Sequence, residues 1–362
     1  MRPTDLKIYK FELPLARLLQ LKNITLTKRS GLMICLTDDQ GNSGYGEISP
    51  FPGLHKENVR DALLWLQKNR HHILQIQFPR ECRKLSGVFE ELLAPLSPPP
   101  SVRFGIEMAV LNLFSAGEKI SLAHLLSQSP QKTVYINGLL AGTEKEILIA
   151  AKTLVDEGYQ TVKLKVGAKD MGREIQIVKK VRKIIGDKTA LRLDANRAWT
   201  FVEAVQFGKS IADQNIEYIE EPLKDFGGAG EFFRETKIPV AMDETLLQFD
   251  FGNTNIPRGV KSFIIKPGVL GGIEKTVQLI KRTHSLGVTP VFSSAFCSGA
   301  GLAVLVQLAA AFIPGKIAMG LDTWKWLKND VLVKPFAAGH GKIRVEDISK
   351  SLQINRKMLH KL

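Results

Sequence analysis

The sequence predicts an α/β protein: a (β/α)8 barrel of the modified TIM-barrel kind, covered by an α+β capping domain. Three observations predict it. Strand-like and helical patterns without regular alternation fill residues 1–120. Eight short apolar runs then alternate with helical stretches over residues 121–322. A strand-like, irregular tail, residues 323–362, is expected to pack back on the capping domain. Alternation also fits a doubly wound sheet, but eight units favour closure.

In the first segment residues 7–13 and 31–36 read as strands, the latter followed by the turn-rich Asp38-Asp39-Gln40-Gly41-Asn42. Helical patterns run from 56 to 67 and from 101 to 115, separated by the rigid Ser97-Pro98-Pro99-Pro100. The barrel strands read at 134–139, 161–166, 190–193, 218–219, 240–242, 262–265, 289–292 and 317–321. Between them, Thr143-x-x-Glu146 and Thr200-x-x-Glu203 are capping boxes, in which each side chain satisfies an otherwise unpaired N–H of the first turn. Ile177, Val178, Val181, Ile184 and Ile185 fall on one helical stripe that Gly186 stops.

Apolar residues make up 44% of the 362 and charged residues 24%, an ordinary globular balance with room for two cores. The net charge of +14 invites a nucleic-acid reading. Yet lysine and arginine are spread along the whole chain, with no arginine-rich tail and no block of interleaved aromatics. Such a surface attracts small anions rather than nucleic acid. Cys35, Cys82 and Cys297 are far apart without CxxC spacing, which argues against zinc and thioredoxin-like redox chemistry and fits a reducing cytoplasm. The charged N-terminus lacks a signal-peptide core. The longest apolar stretch, residues 302–314, contains Gln307 and is too short to span a bilayer. No membrane partner is expected, and nothing in the sequence sets an oligomeric state.

Charge recurs where the barrel strands end. The second strand carries Lys163-Leu164-Lys165, an alternation that points both lysines to one face. The third ends in Arg192-Leu193-Asp194-Ala195-Asn196, the fourth in Glu220-Glu221-Pro222, the fifth in Asp243-Glu244, the sixth in Lys266-Pro267-Gly268 and the seventh in Ser293-Ser294. Each motif alone has an ordinary reading as a solvated face, a turn or a helix cap. Their spacing of about 25 residues is that of one βα unit, and barrel active sites lie at the C-terminal strand ends. Lys165, Asp194, Glu220, Asp243 and Lys266 are therefore expected in one ring. Three converging carboxylates without histidine or thiolate suit a hard ion such as Mg²⁺. Two flanking lysines suit proton transfer if nearby cations and partial burial lower their pKa values.

This ring resembles that of the enolase superfamily, in its muconate-cycloisomerase-like branch. The resemblance covers nearly the whole chain. Gly44-Tyr45-Gly46-Glu47-Ile48-Ser49-Pro50-Phe51-Pro52-Gly53, Arg192-Leu193-Asp194-Ala195-Asn196-Arg197-Ala198-Trp199 and Gly320-Leu321-Asp322-Thr323 are similar to stretches of the o-succinylbenzoate synthase family. The Ala295-Phe296-Cys297-Ser298 run is less polar than that family's pattern. The resemblance implies that Lys165 is the base and Lys266 its charged partner across the substrate, with Lys163 beside Lys165. It also implies that Asp194, Glu220 and Asp243 bind Mg²⁺, with Mn²⁺ as an alternative ion. Arg192, Asn196, Glu244, Ser293, Ser294, Gly320 and Leu321 are then expected to contact substrate or support the ligands, Arg192 reading equally as a salt bridge inside the barrel.

The implied reaction is dehydration of a dianionic carboxylate, 2-succinyl-6-hydroxy-2,4-cyclohexadiene-1-carboxylate, through a metal-stabilised enediolate, in menaquinone biosynthesis. The positive field would speed capture of such a dianion. The segment from 18 to 28 and the turn from 50 to 54 are expected to close over the barrel mouth. Rival reactions are N-succinylamino acid racemisation, dipeptide epimerisation and lactone cycloisomerisation. Epimerases of the branch carry Asp-x-Asp on the eighth strand, where this chain reads Gly320-Leu321-Asp322-Thr323. A silent barrel acting as a binding protein would be marked by loss of a ligand or lysine, and all five are present. Gly208-Lys209-Ser210 lacks the rest of a P-loop, no HExxH occurs, and His71-His72 reads as solvent-facing.

Overall fold

The computed structural model describes residues 1–20, 24–168, 170–249, 255–335 and 337–362. Among them, seven parallel strands form one sheet in sequence order: Gly138–Leu140, Thr161–Lys165, Ala190–Asp194, Ile216–Glu220, Val240–Met242, Val260–Ile265 and Thr289–Phe292. Alternation along these strands sorts the side chains. Leu164, Leu193, Ile219, Met242, Ile265 and Phe292 join the large core shared with the surrounding helices. Tyr218, Ala241, Ile264 and Val291 form a separate small cluster inside the barrel.

The expected eighth strand is reduced to single bridges from Met319 to Ile136 and from Gly320 to Ser293. The Met319 N–H donates to the Tyr135 carbonyl at 2.8 Å, and the Gly320 N–H to that of Phe292 at 2.7 Å, so the run touches both edges of the sheet. These contacts close the barrel. The expected first strand also divides. Thr133–Tyr135 pairs antiparallel with Lys342–Arg344 of the tail, and Gly138–Leu140 enters the barrel. Both capping boxes form, and Ile177, Val178, Val181 and Ile185 are buried. Ile184 is 37% exposed, because it sits at the edge of the stripe.

The cap is a four-stranded sheet in the order His360–Lys361, Asp5–Gln20, Thr25–Thr37, Ser43–Ile48. The tail strand pairs antiparallel with the first. Helices Val59–Gln75 and Pro100–Glu118 run past the C-terminal ends of the patterns that marked them, the first starting at Val59 rather than 56, and His71 and His72 are exposed. Pro100–Glu118 presses directly on the strand Ser43–Ile48. A Cβ on Gly44 would lie 2.1 Å from the Ala109 carbonyl oxygen, and one on Gly46 1.9 Å from that of Gly105. The segment expected as a loop from 18 to 28 is mostly hairpin, with Leu19 paired to Leu26 and Pro14 to Lys28. Residues 21–23 lie outside the described residues. No described helix is long and apolar enough to cross a membrane.

Glu47 joins the cap to the barrel. Its buried carboxylate accepts from Ser49 Oγ at 2.6 Å, Ser298 N at 3.0 Å, Ser298 Oγ at 2.5 Å and Gly301 N at 2.9 Å. A cap residue thus satisfies N–H groups at the start of the barrel helix Gly299–Phe312. Glu47→Ala leaves those donors buried and unpaired. Urea unfolding is expected to show a loss of about 3 kcal/mol, whereas a change below about 0.5 kcal/mol would mark the contact as dispensable.

Candidate active site

The inward positions at the strand ends carry the expected charges. Register pairs Lys163 with Arg192, Lys165 with Asp194, and Asp194 with Glu220. Asp243 follows the fifth strand and Lys266 the sixth. The three carboxylates are 1%, 1% and 6% exposed, so their charge must be met from within the protein. Lys163 Nζ lies 2.9 Å from Asp194 Oδ2 and 2.8 Å from Glu220 Oε2. Lys165 Nζ donates to Asp194 Oδ2 at 2.6 Å and to Asn196 Oδ1 at 2.7 Å. Lys266 Nζ pairs with Asp243 Oδ2. The contacts form two groups, Lys163 and Lys165 with Asp194 and Glu220, and Lys266 with Asp243, which lie close enough for the Asp243 and Lys266 charges to act on Glu220.

Burial pushes the Asp194 carboxyl up, but Lys163 and Lys165 outweigh it and hold the group well below the usual carboxylate range. Glu220 goes the other way. Burial and the neighbouring Asp194 and Asp243 charges drive it well above the usual value against the pull of Lys163. The lowering expected for Lys266 is reversed, and Lys163 moves the same way. Burial lowers Lys163 and Lys266, yet carboxylate neighbours overcome it and raise both. Carboxylates packed beside an ammonium stabilise its charged form more strongly than burial disfavours it.

The donor set fits a hard divalent cation in its chemistry: three buried carboxylates on adjacent strands, one of them destabilised by the other two. Glu244 adds a buried Oε2 with no partner, and burial with the Asp243 charge raises its carboxyl. The oxygens are turned onto lysines, and no three His, Cys, Asp or Glu side chains among the described residues are grouped to hold an ion. Holding one requires the carboxylates to rotate towards a common point.

Residues 146–349 match the enolase C-terminal domain-like family, and residues 3–113 match the MenC N-terminal domain. The o-succinylbenzoate synthase of Klebsiella pneumoniae (strain 342) is 34% identical over 91% of this chain and 94% of its own length. The chain belongs to the o-succinylbenzoate synthase family of the enolase superfamily. It is also 32% identical, over 84% of its length, to the Arabidopsis thaliana chloroplastic protein PHYLLO, of which it spans only 20%. A dipeptide epimerase from Enterococcus faecalis V583, complexed with Mg and the dipeptide L-Leu-L-Tyr, has a TM-score of 0.82 at 20% identity over 95% of this chain and 97% of that one. At that identity it shows the shared fold.

In this o-succinylbenzoate synthase family member, the remaining predicted residues separate by depth. Arg192 is 2% exposed and belongs inside the barrel: Nε donates to Glu217 Oε2 at 2.8 Å and Nη1 to the Ala318 carbonyl at 2.6 Å. Asn196 joins Lys165 to Glu244, its Nδ2 donating to Oε1 at 3.3 Å. Ser293 stands beside Gly320, where a Cβ would lie 3.0 Å from Ser293 Oγ. Ser294 is buried against Thr323 at 2.6 Å and accepts from Phe296 N, which commits its hydroxyl to the loop. The Leu321 side chain is fully buried, leaving its backbone as the group for contact.

Three features escaped sequence reasoning. Glu221, in the left-handed region at φ 41°, accepts from Asp243 N at 2.8 Å, Thr245 N at 2.7 Å and Arg197 Nε at 3.0 Å, and so fixes the fifth-strand end. Its doubled Glu-Glu was a visible signal. Leu15, Leu19, Phe51 and Trp326 form an apolar cluster with Leu139 and Phe296. This cluster roofs part of the barrel mouth, on the side of the first and seventh strands, while the Lys165 side chain stays 40% exposed. His55 ties the cap turn to the sixth-strand loop: Nδ1 accepts from Phe51 N at 2.9 Å, and Nε2 lies 3.1 Å from the Gly268 carbonyl.

Because Nδ1 accepts, Nε2 carries the hydrogen and the ring is neutral. Burial lowers the His55 pKa. As pH falls, the unfolded chain takes up the proton first, so the His55 contribution is present above about pH 6.5 and lost below it. The stability difference between the unaltered chain and His55→Gln is expected to shrink between pH 7.5 and 5.5 in urea unfolding. A constant difference would contradict the neutral bridge.

Proposed function

We propose that this chain is a metal-dependent hydro-lyase that removes water from 2-succinyl-6-hydroxy-2,4-cyclohexadiene-1-carboxylate to give o-succinylbenzoate, in the cytoplasm. The observation that carries this reading is the pair of lysines on the second and sixth strands, four apart in a ring of eight, with three buried carboxylates between them. The family supports the choice of reaction. Three free, buried cysteines suit a reducing compartment.

Asp194, Glu220 and Asp243 would hold Mg²⁺, or Mn²⁺ in its place. When bound, the ion supplies Lewis-acid stabilisation of negative charge developing on the substrate carboxylate. Lys165, as the free amine, takes the poorly acidic proton from the carbon α to that carboxylate. The resulting ammonium delivers a proton to the departing hydroxyl on the same face. A C–H and a C–O bond break, one double bond forms, and the ring becomes aromatic with release of one water. Asn196 orients Lys165 through its 2.7 Å contact. Lys266 stays charged on the opposite side and offsets charge spreading into the ring.

The dianionic substrate also suits the chain's +14 charge. A second reading, racemisation of N-succinylamino acids, is favoured by the same opposed lysines, which would serve as acid and base in turn.

The test supplies the cyclohexadiene carboxylate and follows the aromatic product by ultraviolet absorbance. Lys165→Ala is expected to lower turnover by about 10³-fold. Chelation with EDTA is expected to abolish turnover and added Mg²⁺ to restore it. Undiminished turnover in either case would remove the base or the metal from the account. Racemisation of N-succinylamino acids without dehydration would favour the second reading.

A further inference from the structure

Phe296 lies in the loop after the seventh strand with φ 54°, a left-handed conformation that a bulky side chain adopts only when its surroundings enforce it. Four contacts do so. Its N–H donates to Ser294 Oγ at 3.2 Å, and its carbonyl accepts from Arg29 Nε at 3.0 Å. Its ring stacks on Phe51 at 5.8 Å and meets the edge of Trp326 at 5.4 Å.

Arg29 comes from the cap and is 3% exposed. The same guanidinium donates to the Ser49 carbonyl at 2.9 Å and the Pro50 carbonyl at 3.4 Å, and lies 4.9 Å over the Phe51 ring. One planar fork therefore fixes both sides of the roof at once: the cap turn that carries Phe51 and the barrel loop that carries Phe296. A lysine cannot do the same, because its single Nζ cannot span three carbonyls in separate directions. Two residues further on, Glu47 holds Ser298 from the same cap, so the loop is gripped at both ends.

We propose that Arg29 is a positioning residue: its guanidinium holds the loop after the seventh barrel strand in the left-handed kink that places the Phe296 ring in the roof at the barrel mouth, where it packs on the ring of a bound aromatic dicarboxylate. The packing role rests on the proposed dehydration. The clamp itself does not.

The experiment uses the full chain and the variants Arg29→Met, Arg29→Lys, Phe296→Gly and Arg29→Met with Phe296→Gly. Hydrogen exchange without ligand is expected to show protection at residues 296–298 falling about 10- to 100-fold in Arg29→Met, with the barrel strands unchanged. Unaltered protection there, or an equal fall throughout the chain, would overturn the clamp. Calorimetric titration with o-succinylbenzoate in the presence of Mg²⁺ is expected to show affinity about 10-fold or more weaker in Arg29→Met, with no rescue by Arg29→Lys. The double variant is expected to lose no more than Phe296→Gly alone, since glycine has no ring to place. Rescue by lysine or additive losses would overturn the positioning role. Failure of the unaltered chain to bind o-succinylbenzoate would count against the dehydration reading and the packing role, while exchange still decides the clamp.

Discussion

The constraint on which the site depends is the burial of three carboxylates on neighbouring strands. Asp194, Glu220 and Asp243 have almost no water to solvate them, and each repels the next. An uncompensated charge in such a place is prohibitive. The chain answers with Lys163, Lys165 and Lys266, whose ammonium groups reach the carboxylate oxygens. Positive charge in the right place is thus a condition of folding this barrel, and the same condition makes the site receptive to a divalent cation.

Around that charge set, the protein uses backbone geometry to limit freedom. Asn196, Arg197, Glu221 and Phe296 all sit in the left-handed region at the C-terminal ends of strands. Such strain persists where surrounding contacts over-determine the conformation. Glu221 is bonded to Asp243 and Thr245, and Phe296 to Arg29 and Ser294. The cap takes part through Glu47, His55 and Arg29, each of which grips a barrel segment. Cap and barrel are therefore parts of a single site.

The charged ring was legible in the sequence because each member is an exception to a local rule: a charge at the inward end of an apolar strand, recurring at the length of a βα unit. The same logic missed the direction of the Lys266 shift, since the carboxylates flanking that lysine are set by the register of adjacent strands. The eighth strand was overread because an apolar run does not reveal whether it makes a ladder or isolated bridges. Ser294 looked equivalent to Ser293, and only alternation within the finished barrel turns one inward and the other to Thr323. Leu19 and Phe51 of the roof fall in segments expected at the barrel mouth, but its link to the seventh-strand loop was out of reach. Arg29 and Phe296 are 267 residues apart, and the unusually apolar run around Phe296 does not reveal its partner.

The most direct test of the central claim is a crystal of the chain grown with Mn²⁺ and measured for anomalous scattering. The account predicts one strong peak coordinated by oxygens of Asp194, Glu220 and Asp243, with Lys165 and Lys266 on opposite sides of the same cavity. A peak elsewhere, or carboxylates still locked to their lysines with no ion between them at saturating Mn²⁺, would contradict it.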